Sequence, residues 1–226
     1  MYRYIPIVLQ SLVWIPVRLW LRIVFQFTIR GTKHIQNIDT SRGVIFASNH
    51  ASVMDPLVIA ASFPFLSRFF PFFYVALNRS HYMHLKYLRY LTWPLFFKAW
   101  GAYPTVLGIK DYEKALKPHI QILNDGGSLV LFLEGHRSKD GTTGPARPGI
   151  GYLAEHTNAT IVPVAIGGTY HASTRAGLQE GLTTEITFLE PIDTATVLQS
   201  APTDPRERMY YVAHTTLEKI TRALAS

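Results

Sequence analysis

The sequence predicts a single α/β domain with a mostly parallel or mixed sheet flanked by helices, preceded by amphipathic helices that associate with a membrane. Short apolar segments such as GVIFAS (43–48) and SLVLFL (128–133) alternate with helical patterns, as in sheets covered by helices. The length of 226 residues suits one such domain. The composition, 48% hydrophobic and 16% charged, has fewer charged residues than the roughly 25% of an average soluble domain and leaves apolar surface for something other than water.

Residues 1–27 are predicted to form a pair of short helices lying in a membrane interface. The segment is mostly apolar, but Arg18 and Arg22 interrupt it and Pro16 divides it, whereas a spanning helix needs about 20 consecutive apolar residues. Arg18, Arg22 and Gln26 recur every four residues and share one helical face, a pattern typical of a helix at a membrane surface. A spanning helix and a helix buried on its own domain remain alternatives.

Residues 28–226 are predicted to form one domain, because no linker divides them. One predicted strand ends at 28–31, and the others lie at 43–48, 72–77, 128–133, 159–166 and 185–189. In these short segments the residues are apolar or alternate between apolar and polar. The predicted helices follow Pro56 and span 109–124, 149–157 and 204–224. A glycine pair at 126–127 ends the second of them, and Thr203 is the expected N-cap of the last.

Basic residues are concentrated in the first half of the chain. Residues 1–110 contain 12 Lys or Arg and two carboxylates, a balance of +10, whereas residues 111–226 carry −3. A basic surface rich in aromatic residues suits anionic lipid headgroups. It also suits nucleic acid, but no recognition module is present, so we do not expect a nucleic-acid partner. The chain has no cysteine, which excludes a disulfide framework and a thiolate metal site.

The first candidate site is the sequence NHASVMD, which continues directly from the strand GVIFAS. Reactive groups in α/β sheets gather beyond strand ends. A carboxylate at Asp55 that bonds the ring of His50 would fix its tautomer and strengthen the other ring nitrogen as a base. Because no Gly-x-Ser-x-Gly sequence supplies a nucleophile, we expect His50 to act on a substrate hydroxyl. By itself the pair also fits a structural cap.

Two further segments carry chemistry. FLEGHRS (132–138) begins with the last two residues of the strand at 128–133 and continues beyond its end. Within it Gly135 permits a tight turn, Arg137 offers a planar group suited to phosphate, and Glu134 can accept bonds from acceptor hydroxyls or hold Arg137. In VPVAI (162–166), Pro163 suggests an edge strand or the rim of a cleft. By themselves these segments also fit a surface salt bridge and an ordinary core strand.

Together NHASVMD, FLEGHRS and VPVAI resemble the glycerophospholipid acyltransferase family, which includes the 1-acylglycerol-3-phosphate acyltransferases, over roughly residues 28–170. The resemblance implies an acyltransferase domain at 28–226 with His50 as base and Asp55 as its partner. We expect the substrate to be contacted by Asn49, Ser52, Glu134, Gly135, Arg137, Ser138 and Pro163. No metal is expected, and no cofactor beyond acyl-CoA or acyl carrier protein (acyl-ACP) as co-substrate.

The implied reaction is transfer of a fatty acyl group to the free hydroxyl of 1-acylglycerol-3-phosphate in phospholipid biosynthesis. The implied partners are a membrane lipid surface, a lysophospholipid acceptor and acyl-CoA or acyl carrier protein. The implied location is the cytoplasmic face of the inner or plasma membrane.

One departure from the family pattern concerns the acceptor phosphate. The family usually has a glycine-led block that ends in an arginine contacting phosphate, and Leu107 occupies that place here. Lys110 and Arg147 are predicted to help instead. The departure leaves open another lysolipid acceptor, such as a different lysophospholipid or an amino-acid-containing lipid. A non-catalytic membrane-binding protein on the same scaffold is the alternative from another class, which the intact polar motifs disfavour.

Overall fold

A seven-stranded sheet with helices on both faces organises the part of the chain that the computed structural model describes, residues 3–77, 97–105, 111–172 and 183–225. The strands are β1 (Thr28–Arg30), β2 (Val44–Ser48), β3 (Phe72–Leu77), β4 (Ala102–Thr105), β5 (Ser128–Phe132), β6 (Thr160–Gly167) and β7 (Glu185–Phe188). The helices are α1 (Tyr4–Val24), α2 (Asp55–Ser62), α3 (Tyr112–Asn124), α4 (Gly149–His156), α5 (Thr194–Gln199) and α6 (Pro205–Leu224). The predicted α/β class is confirmed.

The sheet order is β1-β7-β6-β2-β5-β3-β4, and the β6–β7 pair is antiparallel while the other pairs are parallel. The central strand β2 pairs with both β5 and β6, and Ser48 at its end lies opposite Phe132 and Val164. Because parallel strands end at the same edge of a sheet, the loops that follow β2 and β5 meet there.

Each face of the sheet has its own apolar core. One core packs the sheet against α3, α4 and α6, and the other packs it against α1 and α2. In the second core, the ring of Phe46 on β2 meets four other phenylalanines edge-on, Phe63, Phe69, Phe72 and Phe188. All five residues of β2 are buried. A strand buried on both faces reads as a continuous apolar run, which explains why GVIFAS was recognisable from the sequence.

The structure has one N-terminal helix, α1, where a pair of short helices was predicted. It is continuous from Tyr4 to Val24 with Pro16 inside it. Three side chains one helical turn apart fasten it to the domain: Gln10 Nε2 donates to the carbonyl of Phe72 (2.7 Å), Trp14 Nε1 to that of Phe63 (3.1 Å) and Arg18 to those of Ala61 and Phe63. These bonds on both sides of the proline hold one helix where a break was expected. Arg18 therefore points towards the domain, whereas its spacing with Arg22 and Gln26 had indicated a polar face at the membrane surface.

Smaller differences concern helix and strand ends. The N-cap of α6 is Asp204 instead of Thr203, because the Asp204 carboxylate accepts the N–H of Glu207 (2.9 Å). Strand β4 at the sheet edge and the short helix α5 were not predicted. In β4 a proline interrupts a four-residue segment, so its sequence lacks the apolar run on which strand prediction depends.

Candidate active site

The candidate site lies at the edge of the sheet where β2 and β5 end. The N–H of Leu133 donates to the carbonyl of Ser48 (2.9 Å), and the N–H of Ser138 donates to the carbonyl of His50 (2.7 Å). The loop after β2 and the loop after β5 are thus joined by backbone hydrogen bonds. This brings NHASVMD and FLEGHRS together, as strand-end placement predicts.

His50 and Asp55 form a close pair. His50 Nδ1 lies 2.7 Å from Asp55 Oδ2, and the Asp55 carboxylate is fully buried. The same oxygen accepts the backbone N–H groups of Ala51 (2.7 Å) and Ser52 (2.8 Å). The chain therefore wraps around the carboxylate between His50 and the first turn of α2, where Pro56 suits the helix start. A buried carboxylate that accepts several hydrogen bonds is held in one position.

The imidazole of His50 is fixed on its edge and on its face. Since the carboxylate of Asp55 accepts at Nδ1, the hydrogen is assigned to Nδ1 and the lone pair to Nε2. The ring stacks on Phe132, with centroids 3.9 Å apart and planes inclined by 14°. His50 lines the large cavity described below, and 16% of its side chain is exposed. The arrangement presents a basic nitrogen in a defined orientation.

Glu134 is buried and positions the peptide of His50. Its Oε2 accepts the backbone N–H of His50 (2.7 Å), and its Oε1 accepts the backbone N–H of Gly144 (3.0 Å). Burial away from water raises the pKa of Glu134, against the opposing effect of these two hydrogen bonds. One of the two roles expected for Glu134 was to hold Arg137. Its hydrogen-bond partners are instead the backbone amides of His50 and Gly144. Its carboxylate clamps the loop after β2 to the loop after β5.

The turn after Glu134 presents Arg137 at the cavity. Gly135 has a φ of 70°, in the left-handed region that glycine tolerates, and its N–H donates to the carbonyl of Phe132 (3.1 Å). Arg137 is exposed and lines the cavity. The hydroxyl of Ser138 accepts the N–H of Gly141 (2.9 Å). Ser138 therefore shapes the turn from which Arg137 projects.

A cavity of about 1210 Å³ begins at His50 and runs beneath α1. Its polar end is lined by His50, Ser52, His136, Arg137, Ser138, Lys139, Tyr170 and His171. Its apolar part is lined by Val13, Trp14 and Val17 of α1, by Leu57, Ala60 and Ala61 of α2, and by Val75, Ala76, Phe97 and Trp100. A ligand with a polar head and a long apolar chain matches this division of the walls.

Asn49 and Ser52, both expected at the substrate, have different positions. The amide of Asn49 is buried and bonds the backbone of Ile166 through both its oxygen and its nitrogen, each at 2.9 Å. It links the end of β2 to β6 and is not among the described residues that line the cavity. Ser52 lines the cavity, and its hydroxyl accepts the N–H of Met54 (3.2 Å).

The remaining expected contacts lie away from the cavity or outside the described residues. Pro163 is buried in β6, which lies between β2 and β7, so the expectation of an edge strand is wrong. The carbonyl of Pro163 accepts the N–H of Leu189 just beyond β7, and the missing donor is tolerated where β7 has ended. Arg147 is exposed near Tyr112 on the opposite face of the sheet. Lys110 lies outside the described residues.

Several cavity residues were not found from the sequence. Gln10 and Trp14 line it from α1, and Lys139, Tyr170 and His171 line its polar end. A signal for the first two existed: Gln10, Trp14 and Arg18 recur every four residues between exposed apolar positions, which marks a second, domain-facing side of α1. Tyr170 and His171 follow β6 and carry no such pattern.

The site can perform acid–base chemistry on a bound hydroxyl. A neutral imidazole with its lone pair at Nε2, backed by a buried carboxylate, can accept a proton and hold the resulting positive charge. Within the described ranges, no group of three or more His, Asp or Glu side chains converges in a way that could hold a metal ion.

Comparison with known proteins identifies relatives. A family model described as Acyltransferase matches residues 26–167. The chain is 26% identical over 149 residues to 1-acyl-sn-glycerol-3-phosphate acyltransferase LPAT1, chloroplastic, of Arabidopsis thaliana, covering 64% of this chain and 37% of that protein. It is 25% identical over 172 residues to a probable 1-acyl-sn-glycerol-3-phosphate acyltransferase of Mycoplasma genitalium, covering 74% and 59% respectively. The chain thus spans less than two thirds of these relatives.

A solved structure shares the fold. The crystal structure of the 1-acyl-sn-glycerophosphate acyltransferase PlsC from Thermotoga maritima superimposes with a TM-score of 0.66 at 20% identity, over 97% of this chain and 78% of that one. The similarity extends over nearly the whole chain, including the segments on both sides of the family match.

Proposed function

The chain belongs to the acyltransferase family, and we propose that it transfers a fatty acyl group from an acyl thioester to the free hydroxyl of 1-acylglycerol-3-phosphate. The resemblance seen in the three motifs is confirmed by the family match, and the activity that we propose is that of an O-acyltransferase. The names of the relatives support this acceptor. The observation that carries the proposal is the His50–Asp55 pair at the polar end of a cavity whose other walls are apolar.

In the proposed reaction, His50 is the general base. The acceptor hydroxyl gives its proton to Nε2 of His50 while its oxygen attacks the thioester carbonyl carbon. The carboxylate of Asp55 stabilises the imidazolium that forms. When the tetrahedral intermediate collapses, the carbon–sulfur bond breaks and the imidazolium returns the proton to the thiolate, which leaves as a free thiol. Proton transfer by a positioned base contributes roughly 10²- to 10⁴-fold.

The backbone N–H groups of His50, Ala51 and Ser52 do not stabilise the oxyanion in this arrangement. They donate to the carboxylates of Glu134 and Asp55. Their role is to hold the two carboxylates, and through them the base. The oxyanion therefore requires other donors at the cavity wall.

The division of the cavity supports a lysophospholipid acceptor. Arg137 is exposed at the polar end, where its guanidinium suits a phosphate. Apolar residues of α1 and α2 line the other part, where an acyl chain would be removed from water. We propose that the acceptor lies with its phosphate towards Arg137 and its hydroxyl at His50.

We further propose that α1 rests on the membrane. By length and composition Tyr4–Val24 could cross a bilayer. However, its domain-facing side is fastened through Gln10, Trp14 and Arg18, which favours a helix lying along the surface. Its outer side exposes an apolar stripe, namely Tyr4, Ile5, Val8, Leu12, Ile15, Leu19 and Ile23. This stripe and the exposed Arg22 suit the boundary between acyl chains and anionic headgroups.

The proposed donor is acyl-CoA or acyl carrier protein, and the proposed location is the cytoplasmic face of the inner or plasma membrane. Both donors are thioesters, which the reaction requires. The absence of cysteine is compatible with a reducing compartment.

A second candidate acceptor is another lysolipid, including one that contains an amino acid. It is favoured by Leu107, which stands where the family usually has a phosphate-contacting arginine. A non-catalytic membrane protein is a third reading, which the assembled His50–Asp55 pair disfavours.

The proposal is tested with the purified full chain in detergent micelles and one acyl-CoA donor. The acceptors are 1-acylglycerol-3-phosphate, lysophosphatidylcholine, lysophosphatidylethanolamine, an aminoacylated lysolipid and monoacylglycerol, with products identified by mass spectrometry. We expect the highest kcat/KM on 1-acylglycerol-3-phosphate. A higher value on another lysolipid would replace the acceptor. If none of these acceptors causes release of free thiol from either acyl-CoA or acyl-ACP, the proposed transfer is contradicted.

A further inference from the structure

An exposed apolar tip, formed by Phe65 and Leu66, lies beside α1 in the turn that follows α2. The two side chains are 46% and 59% exposed, although the neighbouring Phe63 and Phe69 are buried in the core between the sheet and these two helices. We infer that the tip enters the surface of an anionic bilayer as a second membrane contact and fixes the rotation of the domain about α1. The inference rests on the membrane contact proposed for α1 and deepens it, because it assigns a partner to residues outside that helix.

The backbone of Leu66 distinguishes the tip from an ordinary surface turn. Its φ is 54°, in the left-handed region that a bulky side chain rarely adopts. The N–H of Ser67 donates to the carbonyl of Pro64 (3.1 Å), and the carbonyl of Ser67 accepts the N–H of Phe70 (2.9 Å). The turn is thus held in this shape. In water an exposed leucine gains no burial to offset the strain, whereas contact with acyl chains removes it from water.

The tip is packed against helix α1. The ring centroids of Phe65 and Trp14 lie 5.4 Å apart, with the planes inclined by 52°. The guanidinium of Arg18 lies 5.1 Å from the centroid of the same indole, and the indole N–H donates to the carbonyl of Phe63 (3.1 Å). The tip and the helix therefore hold a fixed position relative to each other. An indole between apolar and cationic side chains is typical of the boundary between acyl chains and headgroups.

The charge around the tip favours a bilayer over a second copy of the chain. The sequence has no Asp or Glu between residues 56 and 110. Arg68, two residues beyond Leu66, is exposed. Its guanidinium is held by the backbone carbonyls of Ile35 (2.9 Å) and Gln36 (2.7 Å), and these neutral groups leave its positive charge for anionic headgroups. A symmetric contact between two copies would instead bring like charges together.

A contact away from the axis of α1 determines how the domain is oriented. A single helix lying in a membrane surface leaves the domain free to rotate about the helix axis. The tip lies to one side of that axis, beyond the end of α2, and selects one orientation. Both α1 and α2 line the apolar part of the cavity. The cavity is therefore held beside the bilayer, and the acyl chain of a lysolipid reaches it without crossing water.

The test uses fluorescence from single introduced thiols, because the chain itself has no cysteine. The full-chain variants Leu66→Cys, Ile15→Cys and Leu224→Cys are each labelled with the fluorophore NBD. Each is mixed with vesicles of equal parts phosphatidylcholine and phosphatidylglycerol, with and without lipids that carry a nitroxide quencher on the acyl chain. Ile15 lies in the exposed stripe of α1, and Leu224 is an exposed leucine of α6 on the other face of the sheet.

We expect the nitroxide lipids to quench the label at positions 66 and 15 and to leave the label at position 224 unchanged. An unquenched label at position 66 would overturn the inference, whatever happens at position 15. Equal quenching at all three positions would also overturn it, because the chain would then adsorb without a defined orientation. Quenching at position 66 without quenching at position 15 keeps the tip and removes the contact proposed for α1. The acyl transfer itself is tested separately by the acceptor panel.

The variant Leu66→Asn measures what the tip contributes to binding while preserving the fold. Asparagine adopts the left-handed region more readily than leucine, so we expect the Tm to stay the same or rise. Affinity for the same vesicles should fall about fivefold, because a polar side chain replaces an apolar one. The matched control Leu224→Asn should bind as the wild type does. Unchanged vesicle affinity in Leu66→Asn would contradict the inference, as would a dimer without vesicles that this substitution converts to a monomer.

Discussion

Replacing Glu134 with glutamine tests whether this carboxylate positions the base or binds the acceptor. The two side chains have the same shape, but the amide has one acceptor oxygen where the carboxylate has two. In the structure both carboxylate oxygens accept backbone N–H groups, from His50 at 2.7 Å and from Gly144 at 3.0 Å. In the Glu134→Gln variant, one of these N–H groups must face an NH₂ group and lose its partner.

The expected cost follows from these contacts. A buried N–H without an acceptor costs about 1–3 kcal/mol, and the bond that remains loses its charge assistance, roughly another 1 kcal/mol. Burial raises the pKa of Glu134, so removing its charge recovers part of this cost. A net loss of about 2 kcal/mol remains, which lowers the Tm by roughly 4–8 °C in a chain of this size. The displaced His50 peptide also lowers kcat.

The assay combines thermal unfolding with steady-state kinetics on the full chain in micelles. We expect a lower Tm, a reduced kcat and little change in the KM for the acceptor. The control is Glu113→Gln, an exposed carboxylate on α3, which should change none of the three. An unchanged Tm with a raised acceptor KM would refute the positioning role and return Glu134 to the acceptor site.

Two other predictions concern histidines. Burial lowers the pKa of His119 to about 4, below the usual value near 6.5. The unfolded chain therefore binds the proton more tightly than the folded chain does. The free energy of unfolding should fall by about 3 kcal/mol as the pH drops from 6.5 towards 4. Urea unfolding at pH 7 and pH 4.5 checks this, and His119→Leu should flatten the dependence; an equal slope in the variant would contradict it. The Phe132→Leu substitution removes the ring stacked on His50 and should lower kcat about tenfold without changing the acceptor KM. The control Phe132→Tyr keeps an aromatic ring and should retain activity. Steady-state kinetics that give Phe132→Leu the same kcat as the wild type would contradict the positioning role of the stacked ring.

The sheet and the meeting of the two polar motifs were predictable because they depend on apolar patterning. Strands β2 and β5 are buried on both faces and appear in the sequence as uninterrupted apolar runs. Polar residues that directly follow two such strands must share an edge if the strands are parallel neighbours, as β2 and β5 are. The placement of His50 beside the turn at Gly135 follows from this rule once β2 and β5 are neighbours, and the strand order that makes them neighbours was not predicted from the sequence.

The partners of several polar side chains were not predictable because those partners are backbone groups. Asn49 bonds the backbone of Ile166, Glu134 bonds that of His50 and Gly144, and Gln10 bonds that of Phe72. A backbone N–H or carbonyl is present at nearly every residue, so no complementary residue type in the sequence reveals such a contact. For this reason the polar residues of the motif segments were expected to contact the substrate, although Asn49 and Glu134 hold the protein backbone instead.

The measurement that tests most directly whether His50 is the base is the acyl transfer activity of the His50→Ala variant. With acyl-CoA and 1-acylglycerol-3-phosphate, we expect kcat to fall by roughly 10²- to 10⁴-fold, while the unfolding temperature stays close to that of the wild type because the ring is partly exposed at the cavity. Turnover at the wild-type rate in a folded variant would contradict the assignment of the base.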